Sequence, residues 1–347
     1  MIVSSPRTTL AALRSCLFAL ALLAGTGAVA RSPYRLVIFD SPGREEGFVP
    51  AALNNLGHVV GAGYAGRVMV LKGERFVEVG TGYGYGINDK DQVVGGTSAD
   101  DGRAVATRWG PFRQVFLEKD VTVNTQAQVI NDRGEAAGLT FGFDPDFQVV
   151  TRWYRGRSTR LGSGRPNAID NHGRIAGLHY DEAGFAYAAV WSADGMTLLG
   201  GADSAVWDMN DLGQAVGNDG GAFARLWNLG ADTVDLAAMT GGLSVAKGIN
   251  SAGDVVGIVV NSPVADGATL WRKTANGHDV VRLGTLIRPD APSAGWRLTD
   301  AHKINDRGDI IGWAVNDAWC SRGEICITYG FLMSHSPLPD RFPTDPP

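Results

Sequence analysis

The chain contains one pair of titratable residues at a spacing suited to acid–base chemistry, Asp300 and His302. A carboxylate beside an imidazole can act as general acid or base when the pair is buried. Packing or surface roles are the favoured explanation of such a pair, because structural ion pairs also perturb titratable groups. No HxH, HExxH, glycine-rich phosphate loop or GxSxG motif accompanies the pair. We therefore predict no catalytic residue.

Three tryptophans suggest a binding surface near the same segment. Trp296 and Trp319 lie in the two longest insertions of the sequence, and Trp313 follows an apolar pair between them. Exposed aromatic side chains near acidic and amide groups suit carbohydrate or peptide ligands. The alternative is that these tryptophans anchor their own loops. The candidate binding residues are therefore Trp296, Asp300, His302, Trp313 and Trp319.

Short acidic segments are the only candidates for a metal. They span 98–102, 144–146 and 181–182. A calcium site needs about six to eight oxygen ligands, which no single segment supplies. Solvated loops are the favoured interpretation, so no cofactor is predicted and calcium remains the alternative.

Two cysteines, Cys320 and Cys326, remain after residue 30, with five residues between them. In an exported protein a nearby pair of this kind predicts a disulfide. The pairing would fix only the local loop. Zinc is a weaker interpretation because no further ligands occur at zinc spacing.

A repeated turn organises the segments that must position these residues. Seven copies of an Asn-Asp-x-Gly-like block each follow an apolar residue and precede an apolar pair and a glycine. The copies begin at Asn54, Asn88, Asn131, Asp170, Asn210, Asn250 and Asn305. Asn or Asp accepts hydrogen bonds from the backbone two residues on, and the later Gly permits a positive φ. In the second copy Asp91 takes that glycine position, which Asp tolerates better than most residues.

Each turn belongs to a longer unit of four short strands. A variable loop follows the turn, then an apolar strand that usually ends in Trp, then a short turn and a fourth apolar segment. The Trp positions are 109, 153, 191, 227 and 271, which indicates core packing. A period near ~40–45 residues with four strands is typical of a propeller blade. A β-solenoid is the second interpretation.

The two ends of the repeat region complement each other. Residues 34–40 resemble a fourth strand without the preceding three, and residues 329–333 resemble a third strand without a fourth. We therefore predict an all-β fold, a seven-bladed β-propeller of four-stranded blades closed by the N-terminal strand completing the last blade. Closure removes exposed strand edges. The variable loops and both long insertions then share one face, where a binding site is expected.

Three segments divide the chain. Residues 1–30 are predicted to be a signal peptide, with Arg7 and Arg14 before an apolar stretch and Ala28-Val29-Ala30 at the cleavage site. Residues 31–335 form the propeller, and 336–347 form a Pro-rich tail. Cleavage leaves 29 Lys and Arg against 36 Asp and Glu, a net charge of −7. This acidic balance without a basic run argues against nucleic acid as a partner.

The repeat resembles the bacterial extracellular HAF-repeat family, whose block reads A-x-x-I-N-D-x-G-x-V-V-G. Residues 246–257 and 301–312 match closely, and 269–271 and 282–284 match the Trp strand and the D-L-G segment that follow. The resemblance covers about residues 34–333. The His-Ala-Phe start is degenerate (Gly221-Ala-Phe223), and Asp91 departs from the pattern. The resemblance implies an exported repeat protein and transfers no site residues.

These observations predict a secreted or periplasmic protein that acts as a binding or scaffold module through loops on one propeller face. Its partner would be a protein or a carbohydrate, and no membrane span is expected once the signal is cleaved. The alternative is a hydrolase or lyase acting on an extracellular polysaccharide at the central channel mouth. A purely structural surface protein is the third hypothesis.

Overall fold

The computed structural model describes residues 34–39, 47–111, 113–120, 122–142, 148–287, 295–317 and 327–335. Within these ranges the chain forms β-strands and three short 3-10 helices, Tyr64–Gly66, Ala237–Met239 and Leu283–Leu286, and contains no α-helix. None of these helical segments has the length and hydropathy needed to cross a bilayer.

The strands group into seven consecutive units, numbered here along the chain. The N-terminal strand is β1 (Arg35–Ile38). Unit 1 contains β2 (Phe48–Leu53), β3 (Val59–Gly63), β4 (Arg67–Lys72) and β5 (Arg75–Thr81). Unit 2 contains β6 (Tyr83–Ile87), β7 (Val93–Ser98), β8 (Ala104–Trp109) and β9 (Gln114–Phe116). Units 3 and 4 contain β10 (Asn124–Ile130), β11 (Ala136–Phe141), β12 (Gln148–Tyr154), β13 (Arg157–Ile169), β14 (Ile175–Tyr180), β15 (Ala186–Ser192) and β16 (Gly195–Ala202).

The remaining strands complete the chain. Unit 5 contains β17 (Ala205–Met209), β18 (Gln214–Asp219), β19 (Phe223–Asn228) and β20 (Thr233–Asp235). Unit 6 contains β21 (Leu243–Ile249), β22 (Val255–Val260), β23 (Gly267–Thr274) and β24 (Gly277–Arg282). Unit 7 contains β25 (Trp296–Ile304), β26 (Ile310–Asn316) and β27 (Tyr329–Ser334). Neighbouring strands within a unit pair antiparallel in chain order, as the sequence predicts for propeller-like blades.

The last unit takes its fourth strand from the other end of the chain. Strand β1 pairs antiparallel with β27, with Arg35 opposite Ser334 and Ile38 opposite Phe331. The sheet therefore has the order β1-β27-β26-β25. This pairing is the one that the complementary ends of the repeat region predict.

Units 3 and 4 differ from the separate blades that the sequence predicts. They share β13, so that β10 to β16 form one seven-stranded sheet, whereas each of the other described sheets has four strands. Only a glycine-containing segment connects the two halves of β13, and Gly162 and Gly164 have φ values of 120° and 146°. Such values let the strand change direction without a loop, because glycine adopts positive φ readily.

The repeated turns have the predicted local structure. In the first turn, Asn54 Oδ1 accepts from the backbone N–H of Leu56 at 3.1 Å and of His58 at 2.9 Å. Gly57 has φ 80°, and Asp91 at the equivalent place in the second turn has φ 55°. The short side chain at the first position and the positive φ three residues later together fix the hairpin.

The turn side chains also join each unit to the next, which the sequence analysis did not predict. In the six turns that begin with Asn, this residue donates its Nδ2 to the backbone carbonyl of its counterpart in the following unit. These bonds run from Asn54 to Asn88, Asn88 to Asn131, Asn131 to Asp170, Asn210 to Asn250, and Asn250 to Asn305, at 2.8–3.3 Å. Asn305 donates in the same way to the Asn54 carbonyl at 2.9 Å, so the turn of unit 7 contacts the turn of unit 1.

The core lies between neighbouring units. The repeated tryptophans are buried, with exposed fractions of 0–4% at positions 109, 153, 191, 227 and 271. Trp271 of unit 6, for example, packs in one cluster with Val216 and Leu226 of unit 5. The predicted packing role of these tryptophans is confirmed.

Candidate functional site

A cavity of about 480 Å³ lies between the first strands of all seven units. Strands β2, β6, β10, β13, β17, β21 and β25 each contribute side chains to its wall, and Trp313 enters from β26. The volume falls within the range of about 300–1,000 Å³ that is usual for small-molecule sites. The first strand of each unit is therefore the element that positions the site.

Each first strand carries a β-bulge at the same place. The pairing with the second strand skips the residue three positions before the turn, as between Gly84 and Gly86 in β6. The skipped residues are Ala51, Tyr85, Gln128, Asn167, Trp207, Lys247 and His302. All seven line the cavity. A bulge leaves one residue unpaired and re-aims its side chain, and such bulges often occur at functional sites.

The chemistry of this position varies although its geometry repeats. The seven side chains comprise one methyl group, two aromatic rings, two amides, one ammonium and one imidazole. By contrast, the residue just before the turn is Leu, Ile or Met in every unit. The scaffold is thus uniform, whereas the residues that face the cavity are individual.

Two ion pairs connect strands across the cavity wall. Lys247 Nζ lies 2.5 Å from Asp300 Oδ2, and Lys303 Nζ lies 2.9 Å from Asp208 Oδ1. Arg165 also lines the cavity. No ion pair of Arg165 occurs among the residues that the structure describes. Both carboxylates are therefore compensated by lysines, and one guanidinium remains available.

Three buried polar atoms of the lining have no hydrogen-bond partner in the described part of the chain. They are Asp300 Oδ1, His302 Nδ1 and Gln128 Oε1. Burial lowers the pKa of His302 to about 4, although Asp300 opposes this shift, and the ring also hydrogen-bonds to the Pro50 backbone. Since Pro50 offers only a carbonyl, the other ring nitrogen donates to it and Nδ1 of the neutral ring is an acceptor. All three atoms are thus acceptors.

Aromatic rings form the rest of the wall. Tyr85 stacks on Tyr83 with ring centroids 6.3 Å apart, and its hydroxyl accepts from Gln126 at 2.9 Å. Burial raises the pKa of Tyr85, so its phenol stays neutral. On the other side the Trp313 ring lies 5.7 Å from the His302 ring. These faces provide apolar contact area between the polar groups.

The candidate binding residues do not form one group. Asp300, His302 and Trp313 line the cavity. Trp296 instead packs edge-on against Tyr329, with centroids 5.1 Å apart, at the edge of a core cluster. This contact agrees with the alternative that Trp296 anchors its own loop. Trp319 lies outside the described residues.

Other predicted features also lie outside the described residues. They are Cys320 and Cys326 with their predicted disulfide, the signal peptide 1–30, the acidic segment 144–146 and the tail 336–347. In the described ranges no group of three or more His, Cys, Asp or Glu side chains is placed to hold a metal ion.

The sequence analysis missed most of the cavity wall. Tyr85, Gln128, Asn167, Trp207 and Lys247 were not predicted as site residues. The signal was available in a comparison of the seven repeats column by column. Three residues before each turn, the sequence is variable and mostly polar or aromatic, whereas the residue before that position is always small or aliphatic.

Comparisons with known proteins give little further information. No family model and no curated protein matches the chain. Sixteen chains of solved structures match. One of them, described as "YCF48 bound to D1 peptide", is 7% identical, with 88% of this chain and 96% of that chain covered and a TM-score of 0.49. A likeness at this level identifies no ligand for the present chain.

Proposed function

We propose that the protein is a seven-bladed β-propeller that acts as a binding module, with its ligand site in the cavity between the first strands. Two sets of contacts support closure of the ring. Strand β1 completes the sheet of unit 7, and Asn305 and Asp306 hydrogen-bond to Asn54 and Asn55 of unit 1 at 2.9 Å. In a closed ring the first strands surround a central channel, which accounts for the cavity.

The bulged position carries the proposal of binding. In all seven units a bulge three residues before the turn directs a different side chain into the same cavity. Bulges of this kind are retained as specific features and not as defects. A purely structural ring would need no such variety of polar groups in its channel. The variety instead suits recognition of one small, polar molecule.

A polysaccharide hydrolase at the channel mouth is less well supported. Glycoside hydrolysis generally needs two carboxyl groups in different protonation states, one acid and one base or nucleophile. Here Asp208 and Asp300 each lie in an ion pair with a lysine, so their surroundings do not differ in the way that an acid and a base require. The arrangement therefore favours binding over hydrolysis.

Export and family remain part of the proposal. The signal peptide, a secreted or periplasmic location and the HAF-repeat resemblance rest on the sequence. The loop that contains Trp319 and the Cys320–Cys326 pair would lie on the variable face and provide a second contact for a protein or carbohydrate partner. Calcium is not required by any of these contacts.

A thermal-shift screen against a library of small polar metabolites tests the binding site. A ligand that binds only the native state raises the unfolding midpoint by mass action. The test variant is Ala51→Trp, which fills the cavity from the bulge of unit 1. The matched control is Leu212→Trp, which adds the same ring at a turn residue that is 71% exposed.

We expect compounds that stabilise the wild type and the Leu212→Trp variant but not the Ala51→Trp variant. If both variants respond alike, the cavity is not the site. Incubation of each hit with the protein, followed by mass analysis of the compound, distinguishes binding from turnover. Conversion that is lost in Ala51→Trp would establish an enzyme and reject the binding module.

A further inference from the structure

The three unpartnered acceptors of the cavity define what a ligand must supply, provided that the proposed function holds. Asp300 Oδ1, His302 Nδ1 and Gln128 Oε1 are buried without a partner among the described residues. A buried polar atom left unpaired costs about 1–3 kcal/mol. The lysine nearest to Asp300 is directed to its other oxygen. A ligand that donates hydrogen bonds to these atoms would remove this cost.

The acceptors belong to distant parts of the chain. Gln128 lies on β10 of unit 3, whereas Asp300 and His302 lie on β25 of unit 7. Around a seven-unit ring, three units lie between them in one direction and two in the other. Donors distributed over the ligand, like the hydroxyl groups around a sugar ring, therefore suit these acceptors better than a single ammonium group does.

The charge of the lining favours an anion. Arg165, Lys247 and Lys303 face Asp208 and Asp300, and His302 is neutral, which leaves one positive charge in excess. That charge is the guanidinium of Arg165, which acts on the neighbouring phenol of Tyr85. A guanidinium binds a carboxylate through two parallel hydrogen bonds.

The aromatic rings favour a ligand with apolar faces as well as hydroxyl groups. Tyr85, Trp207 and Trp313 line the cavity between the polar side chains. The hydroxyl oxygen of Tyr85 accepts from Gln126, and the indole N–H of Trp207 donates to Asn218. Their ring surfaces therefore offer contact to C–H groups.

We propose that the cavity binds a monosaccharide acid, a hexuronate whose carboxylate pairs with Arg165 and whose hydroxyls donate to Gln128, Asp300 and His302. The ring of the sugar packs against the aromatic residues. The assignment names the ligand class of the proposed binding module and depends on that module.

Isothermal titration calorimetry of the purified protein tests the assignment, with D-glucuronate and D-galacturonate as probes. Three compounds serve as comparators. D-glucose lacks the carboxylate, cyclohexanecarboxylate lacks the hydroxyl groups, and L-glutamate has a carboxylate with an ammonium group instead of hydroxyl groups. We expect a uronate to bind at least tenfold more tightly than each comparator. Arg165→Gln should weaken uronate binding at least tenfold and leave glucose binding unchanged. The matched control is Arg157→Gln, at an exposed residue of the same strand outside the cavity.

Gln128→Leu tests the unpartnered acceptor separately. The substitution should weaken uronate and glucose binding alike while leaving the midpoint of the free protein unchanged or higher, because it removes a buried acceptor that has no partner. A purely structural role for Gln128 predicts the reverse, a lower midpoint with unchanged binding.

Two failures are distinguishable. If the metabolite screen finds ligands that the Ala51→Trp variant excludes but uronates do not bind, the ligand class is wrong and the binding module stands. If no compound in either experiment binds, the binding module itself is wrong. The proposal of a sugar acid would also be overturned if L-glutamate bound more tightly than the uronates, or if Arg165→Gln bound uronates as tightly as the wild type.

Discussion

A single buried amide has four hydrogen bonds in the last turn. Asn305 Oδ1 accepts from the N–H of Arg307 at 3.1 Å and of Asp309 at 2.8 Å. Its Nδ2 donates to the Asn54 carbonyl at 2.9 Å and to Asp309 Oδ2 at 3.0 Å. A carboxylate could accept the first two bonds but could not donate the last two. Where the chain has Asp170 instead, Arg174 stands at the position of Asp309 and donates to the Asp170 carboxylate at 2.5 Å.

Asn305→Asp should therefore destabilise the protein by about 3 kcal/mol, because it removes two donors and places two carboxylates together in a buried turn. Urea unfolding followed by tryptophan fluorescence measures the effect. The double variant Asn305→Asp with Asp309→Asn restores a donor opposite the new acid and should recover most of the loss. An additive effect of the two substitutions would contradict the proposed pairing.

Asp91 makes stability depend on pH at the second turn. Burial by itself would raise the pKa of Asp91, but hydrogen bonds from Lys72 and His58 outweigh it and hold the pKa below its ordinary value of 3.8. A carboxyl with a depressed folded-state pKa stabilises the fold above its unfolded pKa and loses that contribution as pH falls through the folded pKa. We expect wild type to be more stable than Asp91→Asn at pH 6, with the difference shrinking as pH falls below 3.8 and through the depressed folded-state pKa.

Urea midpoints of the two proteins at each pH measure this difference. Asn is the matched replacement because it keeps the size of the side chain and tolerates the φ of 55°. A constant difference across the acid range would show that the charge of Asp91 does not contribute.

At the scale of the elements, local sequence signals are enough to predict the hairpins. Which side chains face the cavity depends instead on how neighbouring strands pair. Asn54 and Gly57 fix a turn within a few residues, so the turns and most strands followed from the sequence. The direction of Tyr85 or Trp207 depends on a bulge, which arises only when two strands pair. If side chains simply alternated along each strand, these residues would be assigned to the wrong face of the sheet. For the same reason, a pair such as Lys303 with Asp208 has no signature in local sequence.

Close approach of first strands leaves no room for a side chain in unit 6. A Cβ at Gly248 would lie 3.0 Å from Lys303 Cα and 3.0 Å from a methyl of Val256. Lys303 Nζ pairs with Asp208 at 2.9 Å, and Asp208 also accepts from the N–H of Ile249 at 3.2 Å.

Gly248→Ala should lower the free energy of unfolding by about 1–3 kcal/mol, because the neighbouring backbone must move. Gly284→Ala is the matched control, since no atom lies within 4 Å of its added Cβ. We expect the control to change stability by less than about 0.5 kcal/mol. Equal effects of the two substitutions in denaturant unfolding would contradict the tight contact between units.

The whole molecule joins its two ends in one sheet. Arg35 pairs with Ser334, so β27 and β1 are arranged as the two arms of a hairpin without its loop. The Nδ2–carbonyl bonds and the ion pairs also cross between unit 7 and other units. In a closed ring no unit is terminal. The stability of the fold should therefore depend less on where the chain begins and ends than on whether every strand is unbroken.

A circular permutant tests this property. Residues 335 and 34 are joined by a loop of about two to five residues, a length suited to a hairpin, and the new ends are placed between Gly73 and Glu74, in the exposed turn between β4 and β5. If the ring is closed, the permutant should unfold cooperatively, remain a monomer in size-exclusion chromatography, and lose only a few degrees of thermal midpoint. The strand β5 then completes unit 1 as β1 completes unit 7 in the natural chain.

The matched control opens the joined chain between Val256 and Gly257, inside the buried strand β22. This control should fold poorly, because the break interrupts a paired and buried strand. Closure would be contradicted if the turn-opened permutant failed to the same extent, since its strands all remain intact and only the new loop between β27 and β1 changes the chain path. A monomeric, cooperative turn-opened permutant would in turn require that the first and last units be neighbours, because a short loop cannot span an open array of seven units.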